Sequence, residues 1–220
     1  MFRIFDDRRD AGRALVAEIQ RLGLDDPLIL GLPRGGIPVA FEIATALDAE
    51  LDTLVVRKLG APFQPELAVG AIASGGIKVL NEDVLNRASG LNDSVLEKII
   101  EREKLELARR ERAYRGDREH SPLAGRNVVL VDDGMATGAT MRAAALAVRS
   151  QRPAQLIVAV PTASRDALEM IEPLADEVIC LEAPPHFYAV GEWYRHFGQT
   201  TDDEVRRLLD KSVDIAAIGH

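Results

Sequence analysis

The sequence predicts an α/β fold: a Rossmann-like parallel sheet of about five strands flanked by helices, with a small hood or cap and a helical mid-chain insertion. Three observations carry that prediction. Short, largely apolar runs at 28–32, 51–56, 128–131, 156–160 and 177–181 lack the in-out alternation of half-exposed strands, as strands covered on both faces do. Helical periodicity fills most of the intervals between them, the pattern of parallel strands joined by right-handed crossovers. Two of the runs lead directly into glycine-bearing loops that open helices.

A chain of 220 residues is long enough for one good core and short for two complete domains. We therefore expect one domain over 1–220. Its core takes about 1–80 and 121–182, the helical insertion about 81–120, and the aromatic hood 183–220. Apolar residues make up 47% and charged ones 28%, an ordinary balance that argues against long disorder. The net charge of -8 argues against a nucleic-acid partner. Cys180 is the one cysteine and sits in an apolar run, so it reads as a buried small hydrophobe. The histidines show no H-E-x-x-H or similar metal spacing. No apolar stretch reaches membrane-spanning length and residues 1–7 lack the form of a secretory signal, so a cytoplasmic location without a membrane partner is expected.

Taken in order, Ala11, Ala14, Leu15, Ile19 and Leu22 form a helical stripe over 10–22, closed by Gly23. The first strand, 28–32, is followed by the loop Pro33-Arg34-Gly35-Gly36-Ile37-Pro38 and a helix over 39–47. The strand 51–56 runs into Arg57 and Lys58. Residues 59–66 read as a rigid loop, in which Glu66 reads as an exposed loop acid, and 70–80 as a hairpin around Gly75-Gly76. Asn92 and Asp93 are positioned to cap a long helix over 94–114, with Leu96, Ile99, Ile100 and Leu107 as its narrow apolar stripe. Beyond the strand 156–160, Ser164 is an N-cap for a helix over 164–175. The tail gathers Phe187, Tyr188, Trp193, Tyr194 and Phe197, and Thr201 to Glu204 form a capping box for a last helix.

The most informative stretch is Val128-Val129-Leu130-Val131-Asp132-Asp133-Gly134-Met135-Ala136-Thr137-Gly138-Ala139-Thr140. A buried strand delivers two carboxylates and then a turn of small and hydroxylated residues at a helix start. At the carboxyl end of a parallel strand, such a turn is where open α/β sheets bind ligands. Small residues let the backbone approach closely, and unpaired helix N–H groups favour an anion. Adjacent acids suit vicinal hydroxyls or a hydrated Mg²⁺. Together they ask for a sugar phosphate.

At these residues the chain resembles the type I phosphoribosyltransferases, whose signature is an apolar strand, two acids and a T-G-G/A-T-like loop. The resemblance implies Mg²⁺-dependent transfer of ribose 5-phosphate from 5-phosphoribosyl 1-pyrophosphate to a nitrogen acceptor, with release of diphosphate. By it, Asp132 and Asp133 hold the ribose hydroxyls and the metal, and Gly134, Met135, Ala136, Thr137, Gly138, Ala139 and Thr140 cradle the 5′-phosphate. Arg34, with the amides of Gly35 and Gly36, would hold the diphosphate, joined by Arg57 and Lys58; members often have a cis non-proline peptide in that loop. Catalysis is assigned to Asp132, Asp133 and Arg34. The position of the insertion is similar to that of the family's mobile flap, which implies roles for Arg112, Tyr114 and Arg115, with Gly116 as hinge. Phe187 and Tyr188 are the candidate acceptor wall, while Trp193 and Phe197 anchor the tail. Ala136 stands where the 6-oxopurine members carry an acid, so that route is disfavoured and adenine-type and orotate-type chemistry stays compatible. The family also suggests a homodimer. Two other classes remain open from the residues: a protein that senses the same sugar diphosphate without chemistry, and another sugar-phosphate enzyme such as a phosphohydrolase.

Overall fold

The computed structural model describes residues 2–61, 64–81, 85 and 93–218. Its centre is a five-stranded parallel sheet of β1 (Leu28–Gly31), β2 (Glu50–Thr53), β6 (Asn127–Val131), β7 (Gln155–Thr162) and β8 (Glu177–Glu182), in the order β2-β1-β6-β7-β8. The remaining strands, β3 (Val56–Ala61), β4 (Gln64–Ala73) and β5 (Ile77–Leu80), form a separate antiparallel sheet. The helices are α1 (Arg8–Gln20), α2 (Gly36–Leu47), α3 (Asp93–Arg115), α4 (Ala139–Ser150), α5 (Arg165–Ile171) and α6 (Asp202–Ile218). No helix among the described residues is long and apolar enough to cross a membrane.

The unbroken apolar runs are explained by two cores. Alternate side chains such as Ile29, Val129 and Ile157 face the layer containing α1, α2, α3 and α6. Their neighbours Leu28, Leu30, Val128, Leu130 and Leu156 face α4 and α5. Each fully buried Leu or Ile contributes about 1.5–3 kcal/mol relative to exposure, so both faces hold the sheet. Ile100 and Leu107 of α3 are buried in the first core, with Leu96 and Ile99 packed against it, as the apolar stripe predicts.

The strand order positions the site. From β1 the chain passes to β2 on one side and returns, after the second sheet, to β6 on the other. The crevice between β1 and β6 is therefore the topological switch point, the place where such sheets receive ligands. Leu28 pairs with Val128 and Gly31 with Val131, so the two strands end level and their loops leave side by side.

Two expectations need correction. The run 51–56 is two strands: β2 stops at Thr53, whose N–H donates to Asp52 Oδ1 at 2.7 Å, and β3 begins at Val56. Between them Ser74 takes over, its Oγ accepting from Val55 N at 2.9 Å while its own N–H donates to Val55 O at 2.9 Å, which turns the chain out of the first sheet. Residues 59–66 are not a rigid loop, since β3 and β4 occupy 59–61 and 64–66; the tip 62–63 lies outside the described residues. The Glu66 side chain and the capping role of Asn92 and Asp93 lie outside them too. The helix expected over 164–175 ends at Ile171, because Pro173 brings a single 3₁₀ turn instead.

Arg115, at the end of α3, is locked into this frame. Its guanidinium lies 2.6 Å from Asp52 Oδ1 and donates to Thr53 O at 3.0 Å and Glu119 O at 2.7 Å, with 6% of the side chain exposed. Removing one partner of a buried pair leaves the other charge uncompensated. Arg115→Ala is expected to cost roughly 3–5 kcal/mol, read as a lower urea midpoint at unchanged slope.

Candidate functional site

The loops after β1 and β6 meet atom against atom. Leu32 N donates to Val131 O at 2.8 Å, extending the strand pairing by one residue, and Gly36 N closes back on Leu32 O at 3.0 Å to begin α2. The Pro33–Arg34 peptide between them is cis. A Cβ on Gly36 would lie 2.5 Å from Val131 O and 2.9 Å from Asp132 Cα, and one on Gly35 would collide with the Asp133 carboxylate. Close approach, rather than backbone angles, is what the two glycines provide.

Asp132 and Asp133 stand on this seam. Asp133 N donates to Asp132 Oδ1 at 2.8 Å. Burial first, and the neighbouring Asp133 charge second, push the Asp132 carboxyl well above the usual carboxylate range. Asp133 is held from the side: Arg8 Nε donates to its Oδ2 at 2.8 Å, and the Tyr194 hydroxyl donates to its carbonyl at 2.5 Å. Burial chiefly, with Asp133 beside it, raises the Tyr194 phenol above its ordinary value, so it stays a neutral donor. Arg8 is fixed in turn by Gly198 O at 2.6 Å and by the Phe197 ring, 3.9 Å from the guanidinium to the centroid.

The turn from 134 to 140 is tied to the end of β7. Met135 N donates to Thr162 O at 3.0 Å, Ser164 N to Met135 O at 2.9 Å, and Ser164 Oγ to Ala136 O at 2.7 Å. Met135 is buried in the core, so only its backbone is available to a ligand. Gly134 lies against Val190, and Gly138, at φ 70°, opens α4. Ala136, Thr137, Ala139 and Thr140 are exposed. The first N–H groups of α4 have no intrahelical acceptor, and together with the threonine hydroxyls they make a cradle suited to a phosphate.

A cleft of about 400 Å³ opens at the junction, lined by Arg8, Arg34, Gly35, Asp133 and the tail 197–200. Arg34 reaches Asp202 Oδ1 at 3.4 Å, which also receives the Tyr114 hydroxyl at 3.3 Å. The structure thus brings Arg34, Gly35, Gly36, Asp132, Asp133 and the 134–140 turn together. The other expected site residues are not in the cleft lining, although Tyr114 meets Arg34 at Asp202. Arg57 and Lys58 are on β3, with Arg57 donating to Glu103 of α3 at 2.6 and 2.8 Å. Phe187 stacks on Trp193 at 6.2 Å, and Tyr188 is 81% exposed; neither lines the cleft. Of the flap candidates, Arg112 is exposed, Tyr114 is core and Arg115 is the buried anchor described above, so the end of α3 packs as part of the frame. Sequence reasoning missed Arg8, Tyr194 and Asp202, and read Phe197 as an anchor only.

No group of three or more His, Cys, Asp or Glu that could hold a metal occurs among the described residues. The two adjacent carboxylates still fit Mg²⁺, which keeps several waters and takes one or two carboxylates plus substrate phosphates. A second hollow, about 430 Å³, is lined by Asp48, Glu50, Asp52, Arg115 and Arg118 among others and shares no residue with the two loops.

Residues 4–195 match the family profile described as phosphoribosyl transferase domain. The chain belongs to that family. A Mycobacterium tuberculosis H37Rv protein carrying the provisional name phosphoribosyl transferase is 48% identical over 210 residues, 96% of this chain and 47% of that protein, and its counterpart in strain CDC 1551 matches equally. The chain spans about half the length of these curated relatives. The crystal structure of TT1426 from Thermus thermophilus superposes with a TM-score of 0.88 at 45% identity, covering 94% of this chain and 98% of that one.

Two outcomes follow for this phosphoribosyl transferase domain. Gly35→Ala would set a Cβ on the Asp133 carboxylate and force it from its place on Arg8, so the Tm is expected to fall relative to the parent in thermal scans, with Gly35→Ser falling at least as far. For Asp132, a folded-state pKa above the unfolded one means that ionisation opposes folding. That penalty is absent below the ordinary carboxylate range and grows as pH rises from it through the folded pKa. Asp132→Asn is therefore expected to raise the Tm at pH 7 relative to the parent, with the difference closing on acidification toward pH 3 in thermal scans.

Proposed function

We propose that this domain transfers the ribose 5-phosphate unit of 5-phosphoribosyl 1-pyrophosphate to a nitrogen acceptor, releasing diphosphate with inversion at the anomeric carbon. The observation that carries the proposal is the meeting of two anion-suited loops, from level neighbouring strands, at Gly35 and Asp133. One loop offers the amides and hydroxyls of 134–140 to the 5′-phosphate. The other offers Arg34 and the amides of Gly35 and Gly36 to the diphosphate. Asp133 and Asp132 lie between them, where the diol of a pentose spanning the two loops would donate to carboxylate oxygens.

In this reading the bond from C1 to the diphosphate oxygen breaks as the acceptor nitrogen approaches the opposite face, and positive charge builds on the ribose ring. Arg34 stabilises the negative charge that develops on the leaving oxygens, and the loops keep ribose and acceptor in line. When bound, Mg²⁺ adds neutralisation of the diphosphate. The Cys180 thiol, pushed up to about 11 chiefly by burial, lies outside the cleft and supplies no nucleophile. Ala136, exposed on the turn, offers no acid to a ring proton, which supports an acceptor other than a 6-oxopurine.

The test is incubation of the domain with labelled 5-phosphoribosyl 1-pyrophosphate, Mg²⁺ and a panel of nitrogen heterocycles. Diphosphate release that requires an acceptor is the expected result. Binding without turnover would indicate a sensor, and release of inorganic phosphate a hydrolase. Asp133→Asn is expected to weaken binding of the sugar diphosphate roughly 10- to 100-fold, the loss of a hydrogen bond to a charged group; unchanged affinity would remove the ribose from this seam.

A further inference from the structure

We propose that the acceptor carries a ring carboxylate and that Arg8 recognises it, an assignment that rests on the transferase reading above. With Arg34, Gly35 and Asp133 assigned to the sugar diphosphate, the cleft lining left for the acceptor is Arg8 and the tail 197–200. Gln199 and Thr200 add an amide and a hydroxyl, and Gly198 adds backbone. Phe197 is the one aromatic ring in the lining, but one face is covered by the Arg8 guanidinium at 3.9 Å and the ring stacks with Tyr194 at 5.0 Å. A neutral planar base is ordinarily held by apolar and aromatic walls. In this cleft the single ring already carries the Arg8 guanidinium and Tyr194, and the described lining supplies no second ring to close a sandwich on a neutral base.

It has instead a positioned cation. Arg8 spends Nε on Asp133 and Nη1 on Gly198 O, while Nη2 makes no hydrogen bond among the described residues. The planar fork of a guanidinium can serve a second carboxylate with its remaining donors. Its side chain is only 13% exposed, and the ring beneath and the carbonyl beside it fix its plane before any ligand arrives. A planar heterocycle bearing a carboxylate is the nitrogen acceptor that uses all of this: the anionic group takes the Nη2 edge, and the ring nitrogen is left toward the ribose.

The experiment titrates the full chain, in the presence of ribose 5-phosphate, with matched pairs that differ in the anionic group: nicotinate against nicotinamide, and orotate against uracil. Ribose 5-phosphate binding is measured first. Its absence would overturn the transferase reading and this assignment with it. Given that binding, at least one carboxylate is expected to bind about tenfold or more tightly than its neutral partner, and to support faster diphosphate release from 5-phosphoribosyl 1-pyrophosphate. Arg8→Met should bring the ratio close to one, and Arg8→Lys should restore part of it. The ratio is the readout because a disturbance passed through Asp133 would alter both members of a pair alike. A ratio near one in the parent protein, failure of all four compounds to bind, or a preference that survives Arg8→Met would overturn the acceptor assignment while leaving the ribose site intact.

Discussion

Level pairing of β1 with β6 is the constraint from which the site is built. Parallel strands joined through other elements need not end together, yet Gly31 faces Val131 and the next residue, Leu32, still bonds to Val131 O at 2.8 Å. The two loops therefore start from one line and have nowhere to go except past each other. With side chains at 35 and 36 they would collide with the Asp133 carboxylate and the backbone of Val131 and Asp132. With glycines they interlock, and a carboxylate pair comes to lie directly over a backbone suited to phosphate oxygens. In the proposed reading, a sugar with a phosphate at one end and a diphosphate at the other would span two such corners of one sheet.

Such a seam is costly in electrostatic terms. Two carboxylates adjoin, and burial together with the Asp133 charge pushes Asp132 toward its neutral form. The chain offsets part of this from a distance in sequence, with Arg8 at the start of α1 and Tyr194 in the tail both donating to Asp133. Phe5 and Tyr194 form a bridge between the N-terminal segment and the tail, so these two contributors are tied to each other as well as to the acid. The hood is thus part of the acid's environment rather than a separate cover.

The strands and both loops were legible because each is local. An unbroken apolar run followed by glycines or acids needs nothing else to be read, and the fold class and the family resemblance follow from it. The reading failed where a partner distant in sequence decides the outcome. Arg8 looks like any charged residue at a helix start; only the packing of the tail places it 2.8 Å from Asp133. Arg115 looked like part of a mobile basic run, but Asp52, on an edge strand, claims it. Arg57 and Lys58 seemed to end a sheet strand, and the Ser74 contact with Val55 moves them into a second sheet. Phe187 and Tyr188 were favoured over Phe197 by their nearness to the last strand, whereas the chain doubles back and brings Phe197 to Arg8. No periodicity reports such pairings.

Two of the charged groups that would meet the sugar diphosphate are engaged by opposite charges, Arg34 by Asp202 of the hood and Asp133 by Arg8 of α1, and the two engagements differ in strength. Arg34 and Asp202 are 3.4 Å apart with 39% and 42% of their side chains exposed, a contact worth about 0–1 kcal/mol, so a diphosphate can take Arg34 at little cost. Arg8 and Asp133 are 13% and 15% exposed, and Arg8 is further held by Gly198 O and Phe197, so it does not leave as readily. A carboxylate accepts at about four lone-pair positions, and Arg8 uses one of them. The diol can therefore share Asp133 with Arg8 instead of displacing it. Sharing would keep the Arg8 guanidinium in the cleft while the sugar is bound, and on the proposed reading that retained cation is the group an acceptor with negative charge would meet.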